Sequence, residues 1–251
     1  MTYDGKSRRV RERLPLNIPV RVVCRESPEN EWVEMSRLID VTPFGARFAI
    51  SRPTEPGRLL YLTMPMPRQL RVFDHVEDTY RVWALVRNIS SVPPLKDKLL
   101  RFEVGVAFIG KRPPSSFEAE PSKRYEIARS AAEATVWKLQ EDADRMVSQL
   151  PTSDQRIDTR HNIPITVVME IIDQNGAIST TENTVTENIS RRGAAVMTML
   201  NIADGRFVRV TSDHYGVSVL AVVRGRRLGS DGVLRLHLEF IDRDWPLGSS
   251  E

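Results

Sequence analysis

The chain has 251 residues with 36 Lys or Arg against 33 Asp or Glu, a net charge of +3, and 41% hydrophobic residues, which is room for two ordinary domains each with a small core. A single cysteine, Cys24, excludes an intramolecular disulfide framework and fits a reducing cytoplasm. No apolar run approaches the length of a membrane span, and the charged opening 1–13 lacks the apolar core of a secretion signal, so a cytoplasmic protein without a membrane span is expected.

The chain opens on a polar arm in which Lys6, Arg8, Arg9, Arg11 and Arg13 crowd together with only Asp4 and Glu12 to offset them. Such an arm buries no apolar surface and is expected to order only against something anionic. A β pattern begins at 16–24, where Pro15 and Pro19 confine its start to an edge, and continues over 31–41, 46–50, 58–64, 80–88 and 102–108. Residues 102–108 alternate large apolar side chains with others, so one face is core. Short strands with turn signals and no helices between them predict a mainly β fold and a small barrel.

Pro113-Pro114-Ser115-Ser116 then breaks regular structure. Strong helix formers fill 122–150, with Pro121 before them and Pro151 after, and the pattern predicts a long linking helix. Tyr125, Ala132, Val136, Leu139, Ala143, Met146 and Leu150 make an apolar seam at alternating three and four spacing, with Arg129 its one polar member. That seam either packs on a barrel or forms a coiled-coil homodimer contact through helix 122–150.

Beyond the linker the first pattern returns. Asn17-Ile18-Pro19-Val20 is echoed by Asn162-Ile163-Pro164-Ile165, Ala84-Leu85-Val86-Arg87 by Ala221-Val222-Val223-Arg224, and Val106-Ala107-Phe108-Ile109 by Leu238-Glu239-Phe240-Ile241. The offset falls from 148 between Asp40 and Asn188 to 137 between Ala84 and Ala221 and 132 between Phe108 and Phe240, so the first copy carries extra residues, assigned to 65–77. The expected division is 1–112 for a first domain with its basic arm, 113–151 for the linker and 152–251 for a second domain.

The chemistry concentrates in one arrangement that occurs twice. Arg156-x-x-x-Arg160 precedes Asn188-Ile189-Ser190-Arg191-Arg192-Gly193, and Arg9-x-x-x-Arg13 precedes Asp40-Val41-Thr42-Pro43-Phe44-Gly45. The second arginine stands 27 residues before Asp40 in one copy and 28 before Asn188 in the other. Either fragment alone is commonplace: arginine pairs sit on solvated surfaces, and Asn, Ser and Gly dominate ordinary turns. The ordered pair, repeated at matched spacing, resembles the PilZ family of cyclic di-GMP receptors.

The resemblance implies two six-stranded antiparallel PilZ-like barrels joined by the helix, with cyclic di-GMP as a ligand rather than a catalytic cofactor. It implies Arg156, Arg160, Asn188, Ser190 and Gly193 as the site of the second domain and Arg9, Arg13, Asp40, Thr42 and Gly45 as that of the first. The residue types suit such a ligand. Arginine is a planar multi-donor cation that forks onto phosphate or onto the N7 and O6 acceptors of guanine. A short Asn/Ser pair can bond the rim of a base, and glycine permits either positive φ or close backbone approach. Thr42 stands where the family has Ser and Pro43 stiffens its turn, so the first domain is expected to bind the more weakly.

Nothing in the sequence marks an enzyme or a metal site. His75, His161, His214 and His237 are scattered, with no metal spacing to Cys24 or to a carboxylate pair, and there is no phosphate loop or nucleophile elbow. His161 follows Arg160 directly and could touch a base, while His237 alternates outward on the last strand. The expected function is a cyclic di-GMP receptor that relays its state to a protein partner by conformational change. The alternatives are a basic β-barrel that binds nucleic acid, which is not the partner expected here, and a PilZ module with degenerate sites that serves only for interaction.

Overall fold

The computed structural model describes residues 13–92, 100–127, 139–141, 160–229 and 231–247. Alternation builds the strands: in β1 (Pro19–Arg25) Val20, Val22 and Cys24 turn inward and are at most 1% exposed, and in β3 (Gly45–Ile50) Ala46, Phe48 and Ile50 likewise turn inward and are buried. With β2 (Glu31–Thr42), β4 (Leu59–Met64), β5 (Tyr80–Val92) and β6 (Arg101–Gly110) they form a closed antiparallel barrel in the order β1-β2-β3-β6-β5-β4. Closure is made by β1, whose Val22 lies opposite Glu34 of β2 on one side and Leu62 of β4 on the other. Closing the sheet removes exposed strand edges.

A short helix, α1 (Ser115–Ala119), follows, then β7 (Tyr125–Ile127) paired antiparallel with β8 (Leu139–Glu141). The second barrel comprises β9 (Thr166–Ile172), β10 (Ile178–Ser190), β11 (Gly193–Thr198), β12 (Phe207–Ser212), β13 (Val217–Leu228) and β14 (Leu234–Phe240). Its closed order, β9-β10-β11-β14-β13-β12, repeats that of the first. Its core is built from inward residues such as Val167, Met169, Val196, Val210, Ala221 and Leu236.

Matching hydrogen bonds fix the equivalence of the copies. Gly57 N–H donates to Val86 O as Gly205 N–H does to Val223 O, and Phe108 N–H donates to Phe44 O as Phe240 N–H does to Arg192 O. The extra residues of the first copy therefore lie between β4 and β5. One apparent match fails. Leu38 N–H donates to Ile18 O and Thr186 N–H to Ile165 O, so Ile18 corresponds to Ile165 and not to Ile163. The Asn-Ile-Pro echo is out of register because the β-ladder, not local identity, sets the alignment.

The long linking helix over 122–150 is not formed where the chain is described. Tyr125 and Leu139, both assigned to the helical seam, lie instead in strands β7 and β8. Packing explains the override: Tyr125 is 2% exposed against Leu59, Leu85 and Phe117 on the outer face of the first barrel. Its N–H donates to Gly57 O at 2.9 Å and its hydroxyl pairs with Ser116 Oγ at 2.9 Å. An extended segment makes those contacts, and burying an aromatic side chain outweighs a helix propensity of tenths of a kcal/mol per residue. Ala132, Val136, Ala143, Met146, Leu150 and Arg129 lie outside the described residues, and the homodimer contact expected of helix 122–150 loses its basis. No helix among the described residues is long and apolar enough to cross a membrane.

The loop between β4 and β5 is organised by one buried cation. Arg71, 5% exposed, donates Nε to Met66 O at 2.8 Å and Nη2 to Asp78 O at 2.9 Å, and lies 5.4 Å from the centre of the Tyr80 ring. Asp74 closes the loop, accepting from Val76 N–H at 3.1 Å and pairing with Lys111 Nζ at 3.0 Å. The hydrogen bond from Lys111, followed by that from Val76, lowers the Asp74 carboxyl from 3.8 to about 2. A carboxyl whose folded value lies below its unfolded one stabilises fully above the unfolded value and loses that contribution as pH falls. Asp74→Asn should therefore melt below wild type at pH 7, with the gap closing between about pH 4 and pH 2. Differential scanning calorimetry across that range checks it, and a gap independent of pH would show that the ionised carboxylate is not what holds the loop.

Candidate functional site

Both motifs fold into the same tight hairpin. Thr42 lies opposite Gly45 across the β2–β3 turn and Ser190 opposite Gly193 across the β10–β11 turn. The hydroxyl of Ser190 donates to Gly193 O at 3.2 Å and that of Thr42 to Gly45 O at 3.4 Å. Thr42 thus performs the turn-closing role of Ser190. In each copy the strand register shifts just before the motif, between Leu38 and Asp40 and between Thr186 and Asn188. Such a bulge re-aims the residue that follows it.

The motif glycines serve close approach rather than positive φ. Neither Gly45 nor Gly193 is among the positive-φ glycines of the chain. A Cβ at Gly45 would be driven into Val106 O, and one at Gly193 into Leu238 O, both well inside the 3.0 Å that real Cβ atoms respect. Two backbones meet there, so neither side can yield cheaply.

The second arginine of each pair is placed by an isolated bridge. Leu14 exchanges both backbone hydrogen bonds with Val41 at 3.0 Å, and His161 exchanges them with Ile189 at 2.8 and 2.9 Å. Arg13 and Arg160 are therefore equivalent, each one residue before a bridge to the residue after Asp40 or Asn188. Arg9 and Arg156, with the rest of the basic arm, lie outside the described residues.

What faces the aspartate and the asparagine differs. Opposite Asp40 stands Arg47, whose Nε donates to Asp40 Oδ2 at 2.9 Å and whose Nη2 lies 2.8 Å from the same oxygen. Arg13 Nη1 reaches Asp40 Oδ1 at 3.5 Å. Opposite Asn188 stands Ala195. No guanidinium projects from that position, and Asn188 Oδ1 is buried with no hydrogen-bond partner among the described residues. The two amino-acid exchanges belong together: a near-buried carboxylate needs a cation, and a neutral amide can do without one.

A row of outward residues crosses the second barrel beside this turn. Asn188 pairs with Ala195, Ala195 with His237 and His237 with Gly225, one from each of β10, β11, β14 and β13. Their strand neighbours Ala194, Val196, Leu236 and Leu238 fill the core, so the row lies on the outer face. Burial first, then the positive charges of Arg160 and Arg227, hold the His237 imidazole below its usual range, while Glu187 acts in the opposite sense. Arg160 is thus near enough to His237 for its charge to act on the imidazole. The structure thus brings Arg160, Asn188, Ser190 and Gly193 to one place, and adds Ala195 and His237, which motif reading did not assign. The first copy's counterparts are Arg47, visible as the second residue after Gly45, and Gly105, found by the offset at the last strand.

Among the described residues no group of three or more His, Cys, Asp or Glu could hold a metal ion. No family model and no curated protein matches the chain. Among solved structures the chain is similar to the inhibitor of motility (MotI/DgrA) of Bacillus subtilis, with 14% identity over 92% of this chain and 90% of that one, at a TM-score of 0.30. It is similar to the PlzA protein of Borreliella burgdorferi in complex with c-di-GMP, with 9% identity, 90% and 81% coverage and a TM-score of 0.27. It is likewise similar to Escherichia coli YcgR in complex with c-di-GMP, with 12% identity, 90% and 76% coverage and a TM-score of 0.29. Overlap at this level settles neither function nor partner, which the residues of the site must carry.

The glycine geometry makes a stability prediction. Gly193→Ala and Gly45→Ala should each cost about 1–3 kcal/mol, the range for forcing extra volume into a packed contact. Gly225→Ala should be tolerated, since its Cβ would meet only His237 Cδ2 at 3.9 Å. Chemical denaturation of the three variants checks this, and equal stability of Gly193→Ala and wild type would show that the turn does not press on β14.

Proposed function

We propose that the chain is a cyclic di-GMP receptor of the PilZ type, not an enzyme, acting in the cytoplasm, with domains at 1–112 and 152–251. The second domain is its principal site. Arg156 and Arg160 supply charge-assisted donors to the phosphates and the guanine N7 and O6. Asn188 and Ser190 take the rim of a base, and Gly193 keeps the turn against the barrel. The observation that carries this reading is the buried Asn188 Oδ1 without a partner. It is an acceptor held out of water on the residue before Ile189, which is bridged to the residue after Arg160, and guanine N1–H and N2–H groups are the donors that would satisfy it. Ligand bound against this barrel face changes the conformation of the domain, and that change is what a protein partner reads.

The first domain, with Arg9, Arg13, Asp40, Thr42 and Gly45, is the weaker site, because Arg47 already satisfies Asp40. A ligand there must displace an ion pair before it gains contacts. That observation favours, for this domain alone, the reading of a module whose site no longer binds.

Titration calorimetry with cyclic di-GMP tests the assignment. Arg160→Ala should lose roughly 1.5–3 kcal/mol, about one to two decades of affinity, while Arg13→Ala changes the tighter phase little. Near-wild-type affinity in Arg156→Ala/Arg160→Ala, with folding intact by circular dichroism, would remove the second domain as the main site. Repeating the titration at several salt concentrations separates the nucleic-acid alternative, for which affinity falls by roughly one decade per one to two phosphate contacts over a severalfold rise in salt.

A further inference from the structure

Every other ionisable side chain on the outward face of β14 is engaged with an opposite charge. Arg235 donates to Asp231 Oδ2 at 2.7 Å and to Glu187 Oε1 at 3.1 Å, and Glu239 accepts from Arg224 Nε at 2.6 Å. His237, between them, has no hydrogen-bond or ion-pair partner among the described residues. The residues flanking its ring across the sheet are the smallest available, Ala195 and Gly225, so neither neighbouring strand covers it. Its Cδ2 lies at ordinary contact distance, 3.9 Å, from where a Cβ of Gly225 would stand. Beyond Ala195 the same row ends at Asn188, whose own Oδ1 lacks a partner. His237 and the Asn188 Oδ1, both without a hydrogen-bond partner among the described residues, are separated by a methyl group and lie within reach of the Arg160 charge, forming a shelf with a donor-acceptor pattern.

We propose that His237 is a ligand-contacting residue of this shelf, its imidazolium donating to a phosphate oxygen of the bound cyclic dinucleotide, so that binding takes up a proton. This rests on the reading of the second domain as the cyclic di-GMP site. The balance is one proton, taken from solvent onto the imidazole as the complex forms, with no covalent bond made or broken.

The charges around His237 fix the sign. Arg160, from the segment before β9, and Arg227, on β13, oppose the imidazolium, and Glu187, on β10, favours it. From β11 the residue facing it is Ala195, which carries no charge. On its own strand Arg235 and Glu239 are neutralised by the pairs just described. The free protein therefore holds the imidazole mostly neutral at pH 7, and two phosphates arriving beside it reverse the balance. A group whose pKa rises on binding makes affinity grow as pH falls through the window between its bound and free values, tenfold for each unit of rise.

Calorimetric titration of the full chain with cyclic di-GMP at pH 6, 7 and 8, in buffers of different ionisation enthalpy, reads the effect. Wild type should bind about three- to tenfold more tightly at pH 6 than at pH 8 and take up a fraction of a proton per ligand near pH 7. In His237→Gln both the gain at low pH and the proton uptake should disappear. An imidazole proton resonance, assigned to His237 by its loss in that variant, should titrate at higher pH with ligand than without. Persistence of the pH dependence in His237→Gln, or its loss in His161→Gln instead, overturns the proposal while the receptor reading stands. Wild-type binding with no proton uptake overturns it equally. Failure of wild type to bind cyclic di-GMP at any pH overturns the receptor reading, and this proposal with it.

Discussion

A Cβ cannot stand at Gly45 or Gly193, because the motif turn lies directly on a carbonyl of the last strand, Val106 O in one barrel and Leu238 O in the other. Much of the outer face follows from that approach. With the turn held there, Phe108 and Phe240 donate their N–H groups to Phe44 O and Arg192 O at 2.8 Å. Strand β3 is then laid beside β6, and β11 beside β14, in one register. The bulge just upstream turns Asp40 or Asn188 toward the same face. A larger residue would lift the turn and, with it, the row that runs from Asn188 to Gly225. The glycine is thus a condition of the geometry of this face, through the close approach it permits.

The two barrels share this frame and differ in charge. An Asp40 carboxylate that is nearly buried must be compensated, and Arg47 and Arg13 compensate it from within the chain. The asparagine of the second copy carries no charge, so an alanine across the strand is sufficient and the guanidinium is absent. An amide oxygen left without a donor still costs free energy, on the order of 1–3 kcal/mol. A donor that reached this oxygen would recover that cost, and that difference in the unmet acceptor separates the second copy from the first although its strands, turn and glycine are the same.

Most of the barrel architecture was legible because alternation and turn residues are local signals. Val20, Val22 and Cys24, or Phe102, Val104, Val106 and Phe108, announce an inward face without reference to any other strand. The falling offset between the copies likewise located the longer β4–β5 connection. The linker was misread for the opposite reason. Helix propensity over 122–150 is also local, but Tyr125 finds its burial on β4 and β5, far away in sequence, and tertiary contact decided the outcome. Asn162-Ile163-Pro164 misled in the same way, since register is set by Thr186 bonding to Ile165 across the sheet. Of the candidate site, the two hairpin motifs were legible as a repeat, whereas the placing of Arg47 opposite Asp40, and of Ala195 and His237 in the row with Asn188, follows from cross-strand pairing that no local pattern announces.

The ends of the barrels show how equal folds acquire unequal couplings. In the first, Phe108 meets the edge of Tyr80 at 5.8 Å, and Tyr80 lies against Arg71 of the inserted loop. In the second, the equivalent Phe240 stacks at 5.5 Å on Trp245, which follows the last strand, is 1% exposed and lies 6.0 Å from Tyr215 of the short β12–β13 turn. Either arrangement fills the space with aromatic surface. Only the second also reaches the motif, because Trp245 N–H donates to Arg191 O at 2.8 Å within the β10–β11 turn. The corresponding residue of the first barrel is Pro113, which has no N–H to give. The segment after β14 is therefore tied to the β10–β11 turn by a backbone hydrogen bond and anchored to the core by a buried indole.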